Sequence, residues 1–176
     1  MKQVKLILSL VLAFTLAAFS LPEKLEKKVD KELASYFEEE NYQKTAVDIS
    51  AEAKQKLNKN FDPTLLFKIT HNEKLLGYAY VGSAPSKTAV FDYMVIFNED
   101  LIVAKSKVLI YREEYGGEIG SKRWLKQFNG AQKTDELKFT QDIIGISGAT
   151  ISATSMTNAV NNVLKGVNTL YDNNMF

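Results

Sequence analysis

The spacing of hydrophobic positions near the start of the chain predicts helices. In residues 21–60, apolar side chains recur every three or four positions along one helical face. These side chains are Leu25, Val29, Leu33, Tyr36 and Phe37. Ser50 is placed to cap a second, shorter helix, because its hydroxyl can accept a bond from a first-turn N–H group. We therefore expect residues 21–60 to form a helical segment ahead of the main domain.

Short apolar runs between polar turns predict a sheet in the middle of the chain. Residues 65–70 and 75–81 flank a polar turn, as in a β-hairpin. Residues 90–97 are apolar at both odd and even positions, which indicates a strand covered on both faces. A turn then leads into a further run at 101–111. An antiparallel sheet with flanking helices predicts an α+β fold, and we expect a single domain over residues 61–176.

The sharpest change of pattern lies near the C-terminal end, where an apolar run gives way to four small residues. Residues 143–146 predict a short buried strand, and Ser147-Gly148-Ala149-Thr150 follows directly. Helical spacing then continues to Leu170, with Ser152, or alternatively Thr154, as the expected N-cap. Such a turn can bind an anion, because free backbone N–H groups and the helix dipole face it. An ordinary strand-to-helix loop would fit the same spacing.

Composition narrows the chemistry that the chain can perform. The 22 Lys and Arg residues are balanced by 21 Asp and Glu residues, so no basic surface for nucleic acid is indicated. The absence of cysteine excludes disulfides, thiolate metal sites and a cysteine nucleophile. The single histidine, His71, falls in a predicted turn and cannot form a histidine metal cluster. We predict no catalytic acid, base or nucleophile, no metal site and no nucleic-acid partner.

Residues 1–20 have the pattern of a secretory signal peptide. Lys2 and Lys5 precede an apolar run from Leu6 to Phe19. This run is shorter than the ~20 apolar residues that a membrane span needs, so a cleaved signal is favoured over a retained anchor. We expect cleavage after Ser20 and an extracytoplasmic protein, in the periplasm or the cell envelope.

The run Ser147-Gly148-Ala149-Thr150 resembles the S/T-G-A-T motif of the FMN-binding domain family. That family is found in periplasmic subunits of sodium-pumping NADH:quinone reductase and of related electron-transport complexes. Its last threonine carries FMN through a phosphoester bond, which a flavin transferase installs from FAD with a divalent metal. The resemblance implies FMN attached to Thr150 and an electron carrier rather than a stand-alone enzyme. It also implies a flavin transferase and membrane-bound redox proteins as partners.

The motif departs from the family pattern at one position. The family places an aspartate three residues before the serine, where this chain has Ile144, and the nearest acid is Asp142. Two further hypotheses therefore remain beside the covalent carrier. One is a module that binds FMN or another phosphorylated ligand non-covalently, and the other is an exported structural domain without a cofactor.

A second informative stretch, residues 111–120, resembles the E-T-P-G-L-G-like loop of the same family. The resemblance places backbone near the flavin ring, with Tyr115 or Trp124 beside it. The same glycines would also serve turn geometry alone, and the aromatic residues would also suit the core. The cofactor-binding residues predicted from both stretches are Thr150, Ser147, Gly148, Ala149, Ser152, Tyr115, Gly116 and Gly117.

Overall fold

A computed structural model describes residues 21–176 of the chain. The expected signal peptide, residues 1–20, lies outside the described residues. The helices are α1 (Glu23–Phe37), α2 (Ala51–Lys56), α3 (Lys122–Leu125) and α4 (Thr150–Asp172). The strands are β1 (Gln43–Ala46), β2 (Leu66–His71), β3 (Lys74–Pro85), β4 (Val90–Phe97) and β5 (Val103–Ile110). Short 3-10 helices span Pro63–Leu65, Gly117–Gly120 and Lys126–Phe128.

All five strands form one antiparallel sheet in the order β1-β2-β3-β4-β5. Each strand pairs with the next one along the chain, so short turns suffice to connect β2, β3, β4 and β5. Within residues 21–60 the structure places both expected helices, and Ser50 Oγ caps α2 by accepting a bond from the Ala53 N–H group at 3.1 Å. It also places β1 there, an exposed and mostly polar edge strand that periodicity did not predict. The α+β fold with an antiparallel sheet and flanking helices is confirmed.

The sheet is covered on both faces, because alternate residues of each strand point to opposite sides. On one face the sheet packs against α4, and on the other it packs against α1. Strand side chains on the α4 face include Leu66, Tyr80, Phe91, Tyr93, Val95 and Phe97. Those on the α1 face include Ile69, Ala79, Val81, Met94, Ile96 and Leu109. The expectation that β4 would be apolar on both faces is confirmed.

Helix α4 is the longest element of the structure and lies in the core along most of its length. At Gly166 it touches the ring of Phe61 so closely that a Cβ atom would lie 2.2 Å from a ring carbon. That ring is in turn stacked on Tyr80, with 4.9 Å between centroids. The close contact fixes α4 against β3 and therefore fixes where its first residue, Thr150, is held.

Ion pairs fasten α1 to the opposite face of the sheet. Glu32 lies 2.5 Å from the Lys105 ammonium and 3.3 Å from that of Lys107, both on β5. Burial raises the pKa of Glu32, but the hydrogen bond and positive charge of Lys105, helped by Lys107, outweigh it and hold the pKa below its ordinary value. Within residues 21–176, no helix combines the length and the apolar character needed to cross a membrane.

Candidate functional site

Three chain segments meet at one end of the sheet. β3 ends and β4 begins there, since Pro85 pairs with Val90, and β5 ends there too, since Asp92 pairs with Ile110. The β3–β4 turn (residues 86–89) is therefore a neighbour of the loop that leaves β5. Together with the first turn of α4, these segments enclose an open cavity of about 640 Å³. This volume is typical of cofactor and ligand pockets, which span ~300–1,000 Å³.

We call this space the site cavity. It is lined by Lys87, Thr88, Tyr111, Glu113, Glu114, Tyr115, Gly148, Ala149, Thr150, Ile151 and Ser152. A larger groove of about 880 Å³ lies along α1 and the start of β1, with a mostly charged lining. That groove contains neither stretch singled out in the sequence. The residues, rather than the volume, therefore identify the site cavity as the candidate site.

Three of the four motif residues line the site cavity. Thr150 is exposed and begins α4, whereas Ala149 is buried. Gly148 has a φ of 80°, in the left-handed region that favours glycine, and a Cβ there would meet no atom within 4 Å. Ser147 lies outside the cavity and lines a neighbouring depression with Trp124. The motif therefore places Thr150 at the cavity, with open space beside Gly148.

The predicted N-cap role of Ser152 is wrong, because α4 begins two residues earlier, at Thr150. The cap position belongs to Ala149, whose carbonyl accepts the first helical bond from the Ala153 N–H group at 2.9 Å. Ser152 is buried in the first turn, and Thr154 lies further along the helix. Within the described chain, no side chain caps α4. Its first-turn N–H groups, which have no partner inside the helix, are therefore available to an anion.

The strand predicted at residues 143–146 does not form. Only Ile143 makes a bridge, with Phe139, and its side chain is fully buried. The backbone of Ile144 bonds to side chains instead: its N–H group donates to Gln127 Oε1, and its carbonyl accepts from Trp124 Nε1, both at 2.7 Å. These two bonds take the place of the backbone bonds that a neighbouring strand would make with Ile144. The Ile144 side chain is left 71% exposed beside the motif.

The loop after β5, residues 111–117, is the glycine loop of the site. The Tyr111 hydroxyl donates to the Tyr115 carbonyl at 2.9 Å and lies 3.1 Å from Ser152 Oγ on α4. A Cβ at Gly116 would lie 2.7 Å from this hydroxyl and 3.3 Å from Ala149 Cβ, and its φ of 83° favours glycine as well. Gly116 therefore lets the glycine loop approach α4 closely.

Of the other residues predicted around the flavin ring, Tyr115 lines the site cavity, whereas Gly117 and Trp124 do not. Tyr115 lines the site cavity with its side chain 81% exposed. Gly117 lies beyond that lining and begins a 3-10 helix. Trp124 is buried, and its ring lies edge-on to Phe128 with 5.4 Å between centroids. Trp124 therefore belongs to the core and reaches the motif through the Ile144 carbonyl.

Residues 89–165 match the FMN-binding domain family. This part of the chain is an FMN-binding domain. The match includes both the motif and the glycine loop, and it confirms the family and the cofactor, FMN, that the motif indicated. No curated protein matches the chain.

The site cavity of the FMN-binding domain fits a phosphorylated flavin. Its volume is sufficient, and the uncapped start of α4 offers N–H groups to a phosphate. The exposed side chains of Tyr115 and Ile151 offer apolar surface to a ring system. When bound, FMN supplies the redox chemistry, and the protein supplies the position and the electrostatic surroundings.

One carboxylate ties the β3–β4 turn to the glycine loop of the FMN-binding domain. Glu113 Oε1 accepts bonds from Ser86 Oγ at 2.6 Å, Thr88 N–H at 2.7 Å, Ala89 N–H at 3.1 Å and Thr88 Oγ1 at 3.2 Å. The Ser86 bond first, and then the Thr88 backbone bond, hold the pKa of Glu113 below its ordinary value. The charged form of Glu113 is therefore part of the cavity wall.

Arg112 lies beside the same wall, and its positive charge is paired with a buried carboxylate, that of Asp92. Its guanidinium lies 2.5 Å from Asp92 Oδ2 and donates to the Val90 carbonyl at 3.0 Å. Asp92 is buried and also accepts from Ser83 Oγ at 2.7 Å.

In the described chain, no group of three or more His, Asp or Glu side chains is placed to hold a metal ion.

Several lining residues were not predicted from the sequence. They are Lys87, Thr88, Tyr111, Glu113, Glu114 and Ile151. Lys87 and Thr88 reach the cavity only because the sheet brings the β3–β4 turn next to the end of β5. Spacing along the chain carries no signal for that contact. Tyr111, Glu113 and Glu114 lie in the glycine loop itself, and Ile151 directly follows the motif, so their place in these stretches was the available signal.

Proposed function

We propose that the chain is an exported electron carrier that holds FMN covalently through Thr150. The observation that carries the proposal is the position of Thr150, an exposed hydroxyl residue at the uncapped start of α4 and on the site cavity. A phosphate bonded to this side chain would lie where the helix dipole and free N–H groups favour negative charge. A covalent bond would also keep a cofactor from being lost by dilution outside the cytoplasm.

The attachment step transfers the FMN phosphate from FAD to the threonine. A bond forms between Thr150 Oγ and the phosphorus of the FMN half, the anhydride bond of FAD breaks, and AMP leaves. The hydroxyl proton passes to a base of the flavin transferase. The FMN-binding domain itself contributes the acceptor hydroxyl and the open surroundings of Gly148. A partner enzyme with a divalent metal carries out the chemistry.

Electron transfer in this proposal requires one partner that donates electrons to the flavin and another that accepts them. A reduced, membrane-bound redox protein supplies electrons to the bound flavin, and a second redox protein accepts them. The site cavity is open, so the flavin would stay close to the protein surface. The chain contributes position and electrostatic environment.

Intact-mass measurement of the protein co-expressed with a flavin transferase tests the covalent bond. We expect the wild type to gain the mass of one FMN less one water, and Thr150→Ala to gain nothing. Thr154→Ala, one helical turn further along α4, is the matched control and is expected to be loaded like the wild type. Loaded Thr150→Ala protein would contradict the assignment of the acceptor. The same spectrum tests export, since the mature chain should begin at Leu21.

Non-covalent binding of FMN is the second candidate, and the exposed Ile144 supports it. The family's acidic residue is missing at this position, and Asp142 is engaged by the Lys138 N–H group at 2.7 Å. Acid precipitation distinguishes the two candidates. Yellow colour in the pellet supports the covalent carrier, whereas yellow colour released to the supernatant with no added mass supports the non-covalent module. A colourless protein contradicts both.

A further inference from the structure

The β3–β4 turn brings one cationic side chain to the site cavity. Lys87 is exposed at the tip of this turn, which the Ser86 N–H group closes by donating to the Ala89 carbonyl at 2.9 Å. Among the side chains that line the cavity, Lys87 is the one with a positive charge. Within residues 21–176 no carboxylate forms an ion pair with it. Its charge is therefore available to a molecule in the cavity.

The position of Lys87 depends on Glu113. The four bonds that Glu113 Oε1 accepts come from residues on both sides of Lys87, namely Ser86, Thr88 and Ala89. A turn held at three of its four residues has little freedom to move its tip away from the cavity. Because Glu113 directs one oxygen to these donors, it fixes the place of the lysine without pairing with the ammonium itself.

We propose that Lys87 raises the reduction potential of the bound flavin and that Glu113 is the positioning residue that holds Lys87 at the cavity. The proposal rests on the proposed function in needing FMN in the site cavity, but not on the covalent bond. Uptake of two electrons and one proton leaves the flavin ring with one negative charge. A nearby ammonium stabilises this reduced form more than the neutral oxidised form.

A contact with the phosphate instead of the ring would have a different signature. The phosphate carries the same charge before and after reduction, so a lysine bound only to it would change the affinity for FMN more than the potential. The uncapped start of α4 already provides a phosphate site, whereas the cationic side chain belongs to a different segment of the cavity wall. This division of roles favours the ring as the group that Lys87 stabilises.

A redox titration of the FMN-loaded protein with dithionite and reference dyes tests the role of Lys87. Lys87→Gln is expected to shift the midpoint potential to a more negative value, and Lys87→Arg to stay near the wild type. Lys74→Gln, at the opposite end of β3, is the matched control and should leave the potential unchanged. An unchanged potential in Lys87→Gln overturns the proposal. If the potential is unchanged but unloaded Lys87→Gln protein binds free FMN more weakly than unloaded wild type, Lys87 contacts the phosphate and not the ring.

Two substitutions of Glu113 separate its positioning role from its charge. Glu113→Gln keeps an oxygen acceptor and removes the charge, whereas Glu113→Ala also releases the turn. We expect the midpoint potential of the flavin to be lower in Glu113→Ala than in Glu113→Gln. When Lys87→Gln is added to both variants, this difference should disappear. Amide exchange of Thr88 and Ala89 should accelerate in Glu113→Ala. Equal potentials for the two variants, or unchanged exchange, overturn the positioning role.

The flavin content of the wild type is measured before any potential. A colourless wild type overturns the proposed function and the role of Lys87 with it. Flavin that is present but released by acid contradicts only the covalent bond, and the comparison of Lys87→Gln with the wild type then proceeds unchanged. Failure of the function and failure of the Lys87 proposal are thus distinguished.

Discussion

Tyr111 joins two segments of the site cavity through a single hydroxyl group. The hydroxyl donates to the Tyr115 carbonyl of the glycine loop and contacts Ser152 Oγ in the first turn of α4. Ser152 is 3% exposed, so water cannot easily replace a lost partner. A buried polar atom without its bond costs about 1–3 kcal/mol. Tyr111 therefore couples the loop beside the cavity to the helix that bears Thr150.

Replacement of this hydroxyl tests the coupling. We expect Tyr111→Phe to lower the free energy of unfolding by about 1–3 kcal/mol and to speed amide exchange in the glycine loop. Tyr171→Phe is the control, because that residue is 51% exposed and its hydroxyl makes no hydrogen bond within residues 21–176. Urea unfolding and hydrogen exchange measure the two effects. Equal stability of Tyr111→Phe and the wild type would show that the hydroxyl does not join the segments.

At the scale of single elements, the docking of α1 depends on a charged side chain. Glu32 connects α1 to Lys105 and Lys107 on β5, and its pKa is lowered in the folded protein. A carboxyl group with a lowered native pKa stabilises the fold above its unfolded pKa, and this contribution is lost as the pH falls through the native pKa. The contact should therefore weaken in acid.

The corresponding prediction concerns stability against pH. We expect the free energy of unfolding to fall between about pH 5 and the lowered native pKa of Glu32, and Glu32→Gln to show a smaller fall with lower stability at pH 7. Glu99→Gln, in the exposed β4–β5 turn, is the control and should follow the wild type. Urea unfolding at several pH values gives both curves. Parallel curves for Glu32→Gln and the wild type would exclude Glu32 as a source of acid sensitivity.

Elements with a long periodic pattern were predictable from the sequence, and those completed by distant side chains were not. The buried face of α1 and the doubly covered β4 follow from apolar spacing, because each buries several side chains in a regular order. The apolar run at 143–146 looked like a strand, yet Trp124 and Gln127 satisfy the Ile144 backbone instead. Strand β1 was missed because an exposed, polar edge strand carries no alternation.

In the candidate site, too, residues marked by a local pattern were predictable, and residues brought in by distant contacts were not. Thr150, Gly148, Ala149 and Tyr115 were predictable because a local motif or loop composition marks them. Lys87 reaches the cavity through strand pairing and a carboxylate far away in the chain. A contact of this kind depends on register, which spacing alone does not specify.

At the scale of the whole structure, residues 21–176 form two cores that share one sheet. The α1 core and the α4 core lie on opposite faces of β2, β3 and β4, so every central strand contributes to both. Loss of packing on one face should therefore weaken the other. We expect the domain to unfold in a single cooperative transition.

A substitution in α1 tests this coupling from the far side of the sheet. Leu33→Ala removes a fully buried side chain from the α1 core and should cost about 2–5 kcal/mol. The single tryptophan, Trp124, reports on the α4 core. We expect its fluorescence midpoint in urea to fall together with that of circular dichroism, while the exposed Lys28→Ala leaves both unchanged. A Trp124 midpoint that stays at the wild-type value would mean that the two cores unfold separately.

The order of elements along the chain has a consequence for biosynthesis. The five strands pair with their sequence neighbours, so the sheet can assemble before the residues that follow it have emerged. The helix that covers the Phe91 and Phe97 face, and that carries Thr150, is made after all five strands. A chain that emerges from its N-terminal side therefore displays an uncovered aromatic surface until this helix has emerged. Thr150 therefore takes its place at the site cavity only after this aromatic surface has been covered.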